Sequence, residues 1–374
     1  MKNIIYLSVT LLSVFSLTTG CKKTDSGTGV NIAAVAPTVA TVAAVNIAAP
    51  TANAGGNITS DGGSIVMEAG VCYDTLAGVN ITKHKKTIYT VTGNYNLTLD
   101  SLIMGKTYYY KAYAINGTGI SYGTEMSFFV PFSINGYYFS SEIAKSNLIA
   151  YWAFENGYID SVSKTVGTAN HTSAISFVTG LKGKAVQVAS PGYINSNITN
   201  TVANLGSFTM TCWIKQPSSL STGPTTYLPF SLNSAGYSWE QTKFFMLFNN
   251  ADNASGSYGK ICLMDQWFDK GQVWPAMLNG NWHQMIISFS GTTGALRVYI
   301  DGALMSSSSN ATFGTQTNFG SANSFTLGGP DDNANTINGW MNSLSGVLDE
   351  FKIFNRELTA TEAQSLYVLE NHGL

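Results

Sequence analysis

The stretch Asn281-Trp282-His283-Gln284-Met285-Ile286-Ile287-Ser288-Phe289 leads through a Ser-Gly-Thr-Thr-Gly turn into Leu296-Arg297-Val298-Tyr299-Ile300-Asp301-Gly302. Successive side chains of a β-strand point to opposite faces, so Met285, Ile287 and Phe289 share one face, as do Leu296, Val298 and Ile300. Two such runs joined by a polar turn carrying Gly291 and Gly294 read as a hairpin with one buried face. The rest of the chain must supply the sheets that bury it.

The length of 374 residues suits two or three domains. Charged residues make up only 11% and aromatics 12%, beside abundant Gly, Ser, Thr and Asn, a composition that fits all-β domains with many turns. A net charge of -2 gives no reason to expect nucleic acid or a strongly anionic surface as partner.

Residues 1–20 read as an export signal. Lys2 is the positive end and 4–17 an apolar run too short to span a bilayer as a finished helix. Thr18-Thr19-Gly20-Cys21 resembles the lipobox of bacterial lipoproteins, although the usual Leu stands one place early, at Leu17. The resemblance implies acylation of Cys21 and a lipid anchor in the cell envelope, in the outer membrane of a Gram-negative bacterium. Residues 21–36, without periodicity, form a tether. Cys72, Cys212 and Cys262 remain, an odd number. Cys212 and Cys262 lie in strand-like runs, where either a cross-strand disulfide or two buried thiols would fit.

Residues 37–131 form a first β domain, with strand-like runs at 65–73, 87–92, 94–99, 107–115 and 126–130. The run from Leu102 through Gly105 and Tyr108 to Ala114-Ile115-Asn116 resembles the later strands of a fibronectin type III domain. That resemblance implies a tyrosine corner at Tyr108, inward Tyr110, Ala112 and Ala114, and solvent-facing Tyr109, Lys111 and Tyr113, a tyrosine stripe that is either a binding surface or paired across strands. It implies a spacer or protein-contact role. Residues 132–146 read as a linker rich in Tyr and Phe.

From 147 to 374, LIAYWAFENGYIDS, GKAVQV, FTMTCWIK, NWHQMIISF, LRVYIDG and SLSGVLDEFKIFNRELTATEAQSLY follow one another. In this order they resemble the laminin G-like domains of the concanavalin A-like lectin and glucanase superfamily. The resemblance implies a jelly-roll sandwich of two antiparallel sheets with the hairpin at its centre. Thr359, with Glu362 three residues on, reads as the cap of a C-terminal helix.

Glycoside hydrolysis needs two carboxylates across the scissile bond. The glucanases of the superfamily carry them as Glu-x-Asp-x-Glu or Glu-x-Asp-x-x-Glu along one strand, and this chain has neither spacing. It also lacks a His-Glu-x-x-His pair and a phosphate loop. Alternation in the strand around Asp349 places Val347, Asp349, Phe351 and Ile353 on the core face, where a carboxylate needs a partner. The resemblance implies structural Ca2+ held by Asp349 with backbone and side-chain oxygens from 155–160, Asp160 among them; hydrogen bonds from backbone amides would serve equally. Asp331-Asp332-Asn333 follows Leu327-Gly328-Gly329-Pro330 in a loop of the kind that in related domains can hold a ligand or metal, with a solvated turn as the competing reading.

The stretch 227–274 is the best ligand region. Trp239, Trp267 and Trp274 stand near Asp265 and Gln266, and sugars are held by stacking on aromatic rings while carboxylates and amides bind their hydroxyls. Packing of the same tryptophans over the sandwich rim is the competing reading. His283 reads as a packed structural residue, with no acidic or nucleophilic partner in view. Asp74-Thr75-Leu76, Asp100-Ser101-Leu102 and Asp160-Ser161-Val162 resemble an Asp-Ser/Thr-apolar O-glycosylation signal of some exported bacterial proteins. The expected function is non-catalytic binding of a carbohydrate or glycoconjugate. The alternatives are an adhesion or structural protein that binds another protein, and a glycoside hydrolase.

Overall fold

The hairpin forms as its alternation requires. Trp282–Phe289 pairs antiparallel with Leu296–Ile300, with Met285 opposite Ile300 and Phe289 opposite Leu296. The turn closes through Gly294 N–H donating to Ser290 O at 2.7 Å, with Gly294 at φ +70°. The computed structural model describes residues 33–89, 92–217, 226–234, 243–249, 258–263, 266–268, 277, 279–307 and 319–374. They divide into two compact units, one ending at Val130 and one beginning at Pro131.

The first unit is all β. Thr38–Ala48, Thr51–Ser60 and Gly93–Leu99 form one antiparallel sheet; His84–Ile88, Val66–Asp74, Thr107–Asn116, Ile120–Tyr122 and Met126–Phe129 form the other. Tyr110, Ala112 and Ala114 are buried between them, as alternation demands. The Tyr108 hydroxyl turns back to accept the Ile103 N–H at 3.1 Å. Tyr113 departs from the expectation. It is fully buried on the opposite face, packed with Cys72 and Val79, and donates its hydroxyl to Glu68 at 2.6 Å. The segment after Asp74 folds over that face, so the tyrosines there do not form an open stripe.

The second unit is a sandwich of two large sheets. The eight-stranded sheet is built on Gly346–Phe354, which pairs with Phe208–Lys215, Lys184–Val188 and Leu148–Trp152; the hairpin continues it beyond Phe208–Lys215. The nine-stranded sheet includes Tyr193–Asn195, Ala322–Leu327, Phe230–Ser234, Phe244–Asn249, Tyr258–Leu263 and Gln266–Phe268. All described pairings are antiparallel except that of Thr226–Leu228 with Met341–Ser343. Between the sheets lies one apolar core, in which Met285, Ile287, Phe289, Leu296, Val298 and Ile300 meet Phe230, Phe244 and Phe325.

The hairpin is buried on both faces, not one. Ile286 and Tyr299 point away from the core and are covered by the C-terminal helix Ala360–Asn371 through Leu366 and Leu369. The helix starts at the expected capping box: Thr359 Oγ1 accepts the Glu362 N–H, and Glu362 accepts the Thr359 N–H at 2.9 Å. Residues 132–146 belong to this unit, with Ile143 and Ala144 in the same apolar cluster and Asn135 donating to Ser365 Oγ at 3.0 Å. No helix among the described residues is long and apolar enough to cross a membrane.

Cys72, Cys212 and Cys262 are buried thiols, and no disulfide joins Cys212 to Cys262. Cys212 faces the core between the sheets, whereas Cys262 packs with Leu228, Ala334 and Met341 on the far side of the nine-stranded sheet.

Candidate functional site

Two rows of residues run across the nine-stranded sheet, and they differ in chemistry. The core-facing row passes from Phe325 through Leu232 and Phe244 to Leu263. The outward row passes from Thr168 through Asn195 and Thr326 to Ser231, and Cys262 lies on the same side farther along the sheet. Residues directly opposite across a ladder share a face. In the register of the strand Gln266–Phe268, Trp267 stands opposite Cys262 and Gln266 opposite Leu263. Trp239, Trp274 and Asp265 lie outside the described residues.

The middle of the outward face is a chain of hydrogen bonds. Ser231 Oγ donates to Asn233 Oδ1 at 2.6 Å, Asn233 Nδ2 donates to Ser324 Oγ at 3.1 Å, and Ser324 Oγ donates to Asp331 Oδ2 at 2.6 Å. Asp331 Oδ1 accepts the Ala334 N–H at 2.9 Å, which starts the helix Asp332–Asn338. Thr326 donates to Gly329 O at 2.6 Å. All of these side chains are buried, which polar groups tolerate only when paired in this way. Asp331 and Asp332 are thus not a solvated turn: one caps a helix inside the face and the other stands at its rim.

At that rim the Asp332 carboxylate has its Oδ1 2.5 Å from His171 Nε2 and its Oδ2 accepting the Tyr193 hydroxyl at 3.4 Å. Burial, aided by the Asp332 charge, pushes the Tyr193 hydroxyl above its ordinary range. His171 and Asp332 remain open to solvent, as does Thr168, and Asn195 is half-buried. Sequence reasoning missed His171 and Tyr193, since nothing local links them to Asp332.

The carboxylates expected at a metal are committed elsewhere. Asp160 Oδ1 accepts the Tyr151 N–H at 2.8 Å and the Val162 N–H at 3.0 Å, and its Oδ2 accepts the Ser163 N–H at 3.1 Å. Asp349 Oδ2 accepts the Leu181 N–H at 2.9 Å, and its Oδ1 accepts the Glu350 N–H at 2.9 Å. Asp349 does not face the core. Thr211 pairs with Lys352 but Trp213 pairs with Asp349, so a bulge inserts one residue at Glu350, whose φ is +50°. Leu348, Phe351 and Ile353 take the core positions, and the phase expected for Val347 and Asp349 is reversed. Burial first, and then the neighbouring Glu350 charge, raise the Asp349 carboxyl to about 7. Among the described residues, no group of three or more His, Cys, Asp or Glu side chains could hold a metal ion.

The same bulge turns Glu350 toward a buried charge cluster beneath the C-terminal helix. Lys352 Nζ donates to Glu350 at 2.8 Å and to Glu370, and lies 4.6 Å from the Tyr151 ring centre. His283 has acidic company as well: its Nδ1 lies 2.8 Å from Asp301 Oδ2 and its Nε2 3.1 Å from Asn279 Oδ1. The Asp301 carboxylate also accepts the Gln284 N–H at 2.9 Å, so the pair fastens the end of the hairpin.

These features define an all-β sandwich with one sheet face dry and phenylalanine-rich and the other polar. Residues 190–364 match the family described as the concanavalin A-like lectin/glucanases superfamily, and the second unit carries a domain of that superfamily. No curated protein matches the chain. Among solved structures it is similar to domain 4 of AbnA, a GH43 extracellular arabinanase from Geobacillus stearothermophilus, in complex with arabinotriose. The identity is 22%, over 59% of this chain and 98% of that one, with a TM-score of 0.44. A SAP-like pentraxin from Limulus polyphemus is similar at 18% identity, over 44% of this chain and 70% of that one, with a TM-score of 0.33.

Proposed function

We propose that this is a lipid-anchored cell-envelope protein whose concanavalin A-like domain binds a carbohydrate or glycoconjugate without cleaving it. The observation that carries the reading is the outward face of the nine-stranded sheet. Its paired polar centre ends at the exposed groups Thr168, His171 and Asp332 and at the half-buried Asn195. Hydroxyl-rich ligands need such amide, hydroxyl and carboxylate partners, and an aromatic residue offers a surface for their C–H faces. The missing Glu-x-Asp-x-Glu spacing supports binding over hydrolysis.

A glycan array on the whole protein tests this, with Asp332→Ala and Trp267→Ala as variants. Binding of one glycan class, weakened in both variants while thermal unfolding is unchanged, is expected. An array empty across glycan classes would turn the reading toward protein adhesion, and release of reducing sugar would turn it toward hydrolysis. The fibronectin-like unit serves as spacer, and the anchor is tested by mass spectrometry of the N-terminal peptide for acyl groups on Cys21. Structural Ca2+ at Asp349 or Asp160 completes the proposal. The ion would have to displace the backbone donors now on those oxygens, and a melting temperature unmoved by Ca2+ in chelator-treated protein would remove it.

A further inference from the structure

Two of the three Asp-Ser/Thr-apolar tripeptides share a local geometry that the third lacks. At Asp74-Thr75-Leu76, Asp74 Oδ1 accepts the Leu76 N–H at 3.4 Å; at Asp160-Ser161-Val162, Asp160 Oδ1 accepts the Val162 N–H at 3.0 Å. In both, the aspartate ties down the amide two residues on and leaves the hydroxyl residue exposed at the apex of the turn. In both, the apolar residue that follows is also turned outward: Leu76 is 67% exposed and Val162 43%. An aliphatic side chain held in water at a tight turn is available for contact with another molecule. At Asp100-Ser101-Leu102 the arrangement differs. Leu102 is 4% exposed, and its N–H goes to Pro50 O at 3.0 Å, not to the Asp100 carboxylate.

We infer that Thr75 and Ser161 are O-glycosylation acceptors, displayed with Leu76 and Val162 as the handles by which a glycosyltransferase grips the folded chain. The donor would be a glycosyl phosphate, linked to a nucleotide or a lipid. The acceptor oxygen forms a bond to the anomeric carbon, the anomeric carbon–phosphate oxygen bond breaks, the phosphate leaves with that electron pair, and the hydroxyl proton passes to a base of the transferase. At Thr75 the hydroxyl already points at a carboxylate, donating to Asp74 Oδ1 at 3.4 Å. Ser101 offers a hydroxyl without a handle and stays unmodified. This inference is independent of whether the sandwich binds sugar, because neither turn lies on the polar sheet face.

The test is site mapping by electron-transfer fragmentation on full-length protein isolated from the organism that makes it. Wild type is compared with Thr75→Ala, Ser161→Ala and Leu76→Ser, all at exposed positions. Expected are sugar-mass increments at residues 75 and 161 in the wild type, and loss of each in its own alanine variant. Leu76→Ser should lose the increment at Thr75 and keep that at Ser161. Unmodified Thr75 and Ser161, or an increment confined to Ser101, would overturn the assignment. Persistence at Thr75 in Leu76→Ser would overturn the role given to the apolar handle.

Discussion

The indole N–H of Trp213, on an inner strand of the eight-stranded sheet, donates to Glu370 Oε2 of the C-terminal helix at 2.6 Å. Gln284 Nε2 donates to the same oxygen at 2.7 Å, and Lys352 holds the other. The helix is thus fixed by a charge sunk into the sheet as well as by the apolar contacts of Leu366 and Leu369. Burial pushes the Glu370 carboxyl above its ordinary range even against the pull of Lys352. Burial likewise works against the Lys352 charge, but Glu370 and Glu350 outweigh it and hold the ammonium firmly protonated.

Removing one member of such a group leaves the others buried without compensation. Glu370→Ala is expected to destabilise the second unit by about 3–5 kcal/mol, the cost of breaking a buried ion pair. All seven tryptophans lie at or beyond Trp152, so tryptophan fluorescence in a guanidinium titration reports this unit alone. A midpoint unchanged from wild type would show that the helix is held by its apolar face without help from the charge cluster.

In the first unit the bond from Ile103 N–H to the Tyr108 hydroxyl closes the turn before the strand Thr107–Asn116. Tyr108→Phe keeps the ring against Phe128 and leaves that amide without its acceptor. A loss of about 1 kcal/mol is expected, the net worth of one such bond. Faster hydrogen exchange at Ile103 in the variant, with exchange in the core of the second unit unaltered, is the measurement that checks it.

The core face of the hairpin was legible because alternation is a local property, and so were the capping box at Thr359 and the corner at Tyr108. What alternation cannot report is what arrives later in the chain to cover the other face. Ile286 and Tyr299 gave no sign of the helix that buries them, and Tyr113 none of the segment folded over it. The bulge at Glu350 was hidden for a different reason. A positive φ is usually betrayed by glycine or asparagine, and here a glutamate adopts it. One omission could have been avoided: drawing the hairpin register from Met285 opposite Ile300 sets Asp301 beside Gln284, next to His283. For the polar sheet face, small residues such as Ser231, Ser324 and Thr326 carry no signal until the ladders bring them together.

Burial also decides the chemistry of the thiols. It raises the thiols of Cys72 and Cys212, and all three described cysteines are closed off from solvent. An aromatic disulfide reagent is expected to label none of Cys72, Cys212 and Cys262 in folded protein and all three in guanidinium. Dithiothreitol should leave the melting temperature unchanged. Prompt labelling of Cys262 under native conditions would show that the packing of Leu228, Ala334 and Met341 around it opens in solution.

Asp349 gives the clearest dependence on pH. Its folded carboxyl lies at about 7, raised by burial and by Glu350, whereas an unfolded aspartate titrates near ~3.9. Over the interval between these values the folded chain binds the proton more tightly than the unfolded chain. The contribution of this group to stability is therefore fully present below the lower value and is lost as pH rises through the upper one. The carboxyls of Glu68, Asp74, Asp100, Glu125 and Glu362 are shifted the other way and stay ionised between pH 5 and 8, whereas Glu370, raised by burial, is common to wild type and variant and drops out of their comparison. Wild-type stability should fall across that window, with a slope approaching about 1.4 kcal/mol per decade of acidity at its steepest. In Asp349→Asn the slope should flatten, even though the amide loses part of the bonding to the Leu181 and Glu350 N–H groups and lowers stability at every pH. Parallel curves for the two proteins from pH 5 to 8 would place the titrating group somewhere other than Asp349.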